Sequence, residues 1–260
     1  MKCNRIIGLV FFSLLLIARP LAASEDIPES WQFTLSPYLW ALSVDGNTTV
    51  KGGKTKVDLG FNDVWDNLNF ALMLQAEAQK GRMGLFVSPL ISQLKYESDS
   101  ADLTIDLNMV SFGGFYRLGP WPLAKDGNTN APKLIVDLYA GGRYTYVKIE
   151  LDDTFLNLFD GEESEDWVDP VIGVRSLWTL SPKWTVALRG DVGGFGVSSD
   201  FAWQAMGLLG YTLKFLGDEH AQAFAGYRII SQDYETGSGT NKFAWDIDLK
   251  GPVIGLAYHF

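Results

Sequence analysis

The feature that most constrains this chain is a period of two. From Leu68 to Ala78 every even position is apolar, while Asn69, Gln75 and Glu77 fall on odd positions. In an extended strand alternate side chains point to opposite faces, so one face of this segment is made for hydrocarbon and the other for a polar interior. Segments of comparable length follow at 31–44, 68–80, 84–98, 102–118, 133–149, 166–180, 183–196, 200–215, 220–235 and 243–260. A tilted strand crosses a bilayer core in roughly 9–11 residues, and each segment reaches that length. The pattern predicts an all-β fold, a closed antiparallel up-and-down transmembrane β-barrel of about ten strands.

The connections alternate too. Lys80-Gly81-Arg82, Ser181-Pro182-Lys183 and Leu216-Gly217-Asp218-Glu219 are short, while 45–67, 150–165 and 236–242 are longer and polar. Outer-membrane-type barrels have short periplasmic turns and longer external loops. Gly119 to Pro132 departs from this rule as a long periplasmic turn, and 197–199 as a short external connection. Thr48 to Phe61, around Gly52-Gly53, could form a further hairpin, giving twelve strands if it reaches the bilayer.

The two ends carry their own signals. Met1 to Arg5 is basic, Ile6 to Ala18 is apolar, and Arg19-Pro20-Leu21-Ala22-Ala23-Ser24 ends on small residues. This is the layout of a cleavable signal peptide, expected at 1–23, leaving residues 24–260 as one barrel domain. The apolar run is shorter than the roughly 20 residues a spanning helix needs. Cys3 would leave with that peptide, so disulfides contribute nothing to the mature fold. At the other end Ile254, Leu256, Tyr258 and Phe260 alternate outward and the chain stops on an aromatic residue. This resembles the terminal signature read by the outer-membrane barrel assembly machinery. Upstream, Trp245, Ile247 and Leu249 occupy the opposite parity, and a bulge at Gly251-Pro252 would bring both sets outward.

Further stretches extend the resemblance: Ser36-Pro37-Tyr38-Leu39-Trp40-Ala41, Gly81-Arg82-Met83-Gly84-Leu85-Phe86, and Gly190-Asp191-Val192-Gly193-Gly194-Phe195-Gly196 with Asp200-Phe201-Ala202-Trp203-Gln204. They resemble a group of uncharacterised proteobacterial outer-membrane β-barrel proteins over essentially the mature chain. The resemblance implies a fold and a location, with outer-membrane lipid and lipopolysaccharide as surroundings, and no activity.

Charge and motif readings narrow the function. Removing Lys2, Arg5 and Arg19, and no acid, moves the formal charge from −10 to −13. Phosphate binding needs clustered bases, so nucleic acid is not expected as a partner. His220 and His259 are the only histidines, and both fall on the periplasmic side, away from outer-leaflet lipid. A lipid-modifying esterase needs a histidine beside a serine at the outer leaflet, so no catalytic residues are assigned and a lipid enzyme ranks last. Zinc lacks a third nitrogen or sulfur ligand. The acidic run 150–166 lacks the spacing and central glycine of a calcium loop and reads as solvated. Gly193-Gly194-Phe195-Gly196 is followed by no helix or lysine, so no cofactor is expected.

The interior is the informative surface. On the parity above, Glu77, Asp137, Arg143, Asp169, Arg175, Arg189, Asp191 and Arg228 point into the lumen. Eight-stranded barrels are filled by side chains and wide pores need sixteen or more strands, so ten is marginal for transport. Mixed acids and bases favour a charge-plugged lumen with a structural or surface-interaction role over a narrow channel. Opposite residues of an antiparallel pair have a constant sum of numbers. Both 137 + 175 and 143 + 169 equal 312, which predicts two ion pairs between neighbouring strands, Asp137 with Arg175 and Arg143 with Asp169.

Overall fold

The computed structural model describes residues 27–97, 101–123, 132–153, 161–215 and 218–260. The expected signal peptide lies outside them. Ten antiparallel strands form the wall: β1 (Gln32–Trp40), β4 (Leu68–Lys80), β5 (Met83–Glu97), β6 (Ala101–Pro122), β7 (Lys133–Asp153), β8 (Gly161–Thr179), β9 (Trp184–Gly193), β10 (Phe201–Phe215), β11 (Asp218–Thr236) and β12 (Phe243–His259). They pair in that order and β12 pairs back to β1, which closes the barrel. Over the height where β1 pairs with both β4 and β12, closure leaves the wall no free edge.

The ten segments read from the sequence fall on these ten strands, and β6, β7, β8 and β11 run longer. Much of the expected loop 150–165 is therefore hairpin wall: Ile149 pairs with Glu163 and Tyr146 with Asp166. The hairpin suspected around Gly52-Gly53 is present as β2 (Ser43–Val50) and β3 (Gly53–Leu59). Its two-residue turn has both central residues at positive φ, Lys51 at 50° and Gly52 at 78°, the type I′ geometry that matches strand twist. It does not become two more wall strands. β2 pairs with the upper part of β12, continuing the line of β1 after a break at Ala41-Leu42, and β3 is followed by a short helix, α1 (Phe61–Asp66).

Outward side chains on the lower and middle wall are apolar and exposed, including Leu35, Leu72, Leu85, Phe112, Leu138, Ile172, Leu188, Ile254 and Leu256. Higher up the pattern inverts. Along β12 the outward set is Asp246, Asp248 and Lys250, then Pro252, Ile254, Leu256 and Tyr258, while Phe243, Trp245, Ile247 and Leu249 are buried inside. The β11–β12 register runs unbroken from Tyr258 to Phe243, so the expected bulge at Gly251-Pro252 is absent. The apparent change of parity is a change of solvent. Above Pro252 the outward face is polar and the inward face carries the core, the pattern of a wall that stands in water. β6 and β7 turn over at the same height, with Asp106, Asn108, Lys148 and Glu150 outward and Leu107, Met109 and Val147 buried inside.

Glycines let the wall tighten. A Cβ on Gly173 would stand 2.4 Å from the Gly190 carbonyl and 2.5 Å from Cζ of Tyr139. Phe115 covers Gly84 in the same way.

Candidate functional site

Two layers fill the interior. The lower layer is charged. Arg117 of β6 grips Asp137 of β7 with a fork, Nε to Oδ1 at 2.9 Å and Nη2 to Oδ2 at 3.2 Å. Arg175 of β8 reaches the same carboxylate through Nε at 2.9 Å and donates through Nη1 to Glu77 of β4. β8 and β4 stand four places apart in a ring of ten, so this last pair crosses the bore. The Arg175 guanidinium also lies 4.1 Å from the centre of the Phe115 ring.

Two further contacts cross the bore. Arg189 of β9 sits over Phe86 of β5 at 4.9 Å and over Tyr139 at 4.5 Å, and its Nε donates to the Tyr139 hydroxyl at 2.9 Å. Gln232 of β11 donates through Nε2 to Thr145 Oγ1 of β7 at 3.0 Å and to Asp169 Oδ2 at 3.2 Å. Arg143, Thr145 and Asp169 are completely buried and Gln232 is 1% exposed, so at this level the bore is packed with side chains.

The register places Asp137 opposite Arg175 and Arg143 opposite Asp169, as the sum of 312 requires. Only the first of these facing pairs is an ion pair. Arg143 turns instead to Asp191 of β9, with Nη2 to Oδ1 at 2.7 Å. Asp169 is already full: it accepts from the Ser199 amide (2.8 Å), the Ser199 hydroxyl (2.7 Å), Trp167 Nε1 (3.2 Å) and Gln232. A carboxylate has about four lone-pair sites, and these donors occupy them. Asp169 therefore ties down the external β9–β10 connection.

Asp191 also takes the Tyr139 hydroxyl at 2.6 Å and Gln204 Nε2 at 3.0 Å. Arg228 touches no carboxylate among the described residues. It donates to Gln204 Oε1 from Nε (3.1 Å) and Nη2 (2.6 Å) and to the Tyr38 hydroxyl from Nη1 (3.0 Å), and stacks over Trp40 at 4.9 Å. All eight expected lumen charges thus point inward. Arg117 and the polar partners Tyr38, Tyr139, Ser199, Gln204 and Gln232 were missed. Arg117 shares the odd inward parity of Phe115 and could have been found by it. In this layer Arg117, Arg143, Arg175, Arg189 and Arg228 face Glu77, Asp137, Asp169 and Asp191, one positive charge in excess.

The upper layer is apolar. Trp40, Leu42, Val44, Met73, Leu94, Leu107, Trp245 and Leu249 belong to one buried cluster inside the upper barrel. A cavity of about 290 Å³ lies within it, with Leu39 and Ile254 at one side. The four C-terminal alternating residues stand outward at the bottom of β12. Ile254 and Leu256 are exposed, and the Tyr258 and Phe260 rings meet edge-on at 4.8 Å. Phe260 N donates to the Phe33 carbonyl at 2.8 Å across the closing seam. His259 Nδ1 is 2.9 Å from Thr34 Oγ1 on the same seam, and the His220 side chain lies outside the described residues. Among the described residues no cluster of His, Cys, Asp or Glu could hold a metal ion.

No protein-family model matches the chain, and no curated protein matches it. Among solved structures it is similar to Ail, the attachment invasion locus protein of Yersinia pestis, at 10% identity and a TM-score of 0.35, covering 89% of this chain and 99% of that one. A Pseudomonas aeruginosa FadL homologue is similar at 9% identity and a TM-score of 0.25, covering 88% and 89%. Likeness this distant says nothing about activity or ligand.

Proposed function

We propose that this chain is an outer-membrane barrel closed to ions and hydrophilic solutes, with a structural or surface-interaction role in the envelope. The observation that carries the reading is the set of three contacts across the bore, Glu77 with Arg175, Phe86 with Arg189, and Thr145 with Gln232. Buried ion pairs are costly to assemble, because both charges lose water, and costly to break, because the survivor stays buried alone. Such a layer holds strands at fixed distances and leaves no file of water along the axis.

The placement rests on the outward apolar band, bounded below by Trp31, Trp121, Trp184 and Phe260, which are exposed aromatic residues of the kind that sit at a membrane interface. Within it the barrel contacts lipid, and its polar upper wall stands among lipopolysaccharide. Ile254, Leu256, Tyr258 and Phe260 serve as the signal for the barrel assembly machinery, after removal of residues 1–23. No part of the interior is given a catalytic role.

Single-channel recording on refolded protein in a planar bilayer tests the closed lumen. Silence is expected for the wild type. Steady unitary conductance would establish a narrow channel instead, and with one arginine in excess such a path would prefer anions.

A further inference from the structure

Pro37 begins the argument. β1 pairs with β4 from Gln32–Gln79 up to Pro37–Leu74 and no further, whereas β1 stays paired with β12 to Trp40–Val253. β4 continues to Leu68 with no strand on that side among the described residues, and β3 has none on its outer edge. The Trp40 amide, which would have reached a β4 carbonyl, donates to Met73 Sδ at 3.2 Å. Above Pro37 the wall therefore has a seam, crossed by the Trp40–Met73 contact, with α1 linking β3 to β4 in sequence.

The seam opens on the apolar cavity. Its inner wall includes Met73, Leu94 and Leu107, and its rim includes Leu39 and Ile254, which face lipid. The two hydroxyls in the lining are already used, Ser92 donating to the Leu107 carbonyl and Thr48 to the Ala244 carbonyl. The rim lies at the height where outward residues change from Lys250 to Ile254, so the mouth faces the upper edge of the hydrocarbon. On α1, Phe61 and Trp65 are exposed beside it with rings 5.7 Å apart, while Val64 turns inward.

One lining donor, the buried Trp245 Nε1, has no hydrogen-bond partner among the described residues, but a water needs about two to four polar partners, so the cavity does not hold water, and an empty one forfeits contacts on every wall. A dry cavity of about 150 Å³ accommodates benzene, so about 290 Å³ suits a chain of roughly ten carbons. We infer that this cavity is a binding site for one acyl chain of an outer-leaflet lipid, entered sideways through the β1–β4 seam. The charged layer beneath it makes the site a dead end, so the chain is held and not passed to the periplasm. This rests on the bilayer placement proposed above.

Full-length protein in phosphatidylcholine vesicles, doped with phosphatidylcholine bearing a diazirine at the end of one acyl chain, provides the test. After irradiation, adducts are mapped by mass spectrometry. Adducts are expected on inward Met73, Leu94 or Leu107 as well as on outward Leu72 and Ile254, with none on inward Phe115 in the charged layer. Ala71→Trp, and separately Leu107→Trp, should reduce the inward adducts to the Phe115 background and leave the outward ones. Heat-modifiability on gels confirms that each variant is folded. Adducts on outward residues alone would overturn the site while leaving the bilayer placement standing, and adducts nowhere would overturn both. Inward labelling from a free diazirine fatty acid but none from the phospholipid would show a site fed from water, against the proposal. Inward adducts that survive in both variants would also count against it.

Discussion

At the scale of single residues, Asp137 is the joint of the charged layer, because it accepts two hydrogen bonds from Arg117 and one from Arg175. Asp137→Asn removes the carboxylate that Arg117 and Arg175 share and leaves Arg175 with Glu77 alone, and should lower stability by about 3–5 kcal/mol. The midpoint of urea unfolding in detergent measures it. A charge reversal of the pair, Arg175→Asp with Asp137→Arg, should rescue only poorly, since the new arginine meets Arg117. Gly173→Ala drives a methyl into the Tyr139 ring and the Gly190 carbonyl and should cost about 1–3 kcal/mol in the same measurement. The pairing of Asp137 with Arg175 was legible as arithmetic on residue numbers. The Arg143–Asp169 contact was a misreading of the same arithmetic, because the sum fixes which Cα atoms face each other and not where a long arginine ends. Asp169 was claimed by Ser199, thirty residues away, and nothing local announces that.

At the scale of elements, strand positions were legible because each has a turn at both ends and a period of two between them. Strand faces were legible only inside the bilayer. The period says that two faces differ, and the solvent decides which of them looks in. Trp245, Ile247 and Leu249 therefore read as lipid-facing and are core. Three substitutions separate the readings. Leu138→Arg, outward near the middle of the band, should cost about 2–4 kcal/mol. Asp248→Arg, outward above the band, should stay within about 0.5 kcal/mol of wild type. Ile247→Asp, one residue earlier and 1% exposed, should exceed about 3 kcal/mol as an unpaired buried charge. A bulge at Gly251-Pro252 would have predicted a tolerated aspartate there whenever that height lies in water.

For the whole molecule, closure depends on the last residues, since Phe260 exchanges backbone hydrogen bonds with Phe33 across the seam where the sheet meets itself. Deleting Phe260, or replacing Tyr258 and Phe260 with Ala, should reduce the heat-modifiable fraction recovered from cells while refolding from urea in detergent is affected less. A loss equal in both settings would assign these residues to stability and not to recognition. The end of the β1–β4 ladder at Pro37–Leu74 carries a consequence of another kind. The unpaired edge of β4 between Leu68 and Met73 is too costly for the middle of the hydrocarbon, where each bare backbone group costs several kcal/mol, and belongs at its upper boundary. The point at which the ladder stops is thus a waterline. A bilayer that rises well above it would bury the whole of that edge in hydrocarbon, so the barrel is matched to a thin membrane and would sort away from a thicker one. One interrupted ladder sets the draught at which the molecule floats.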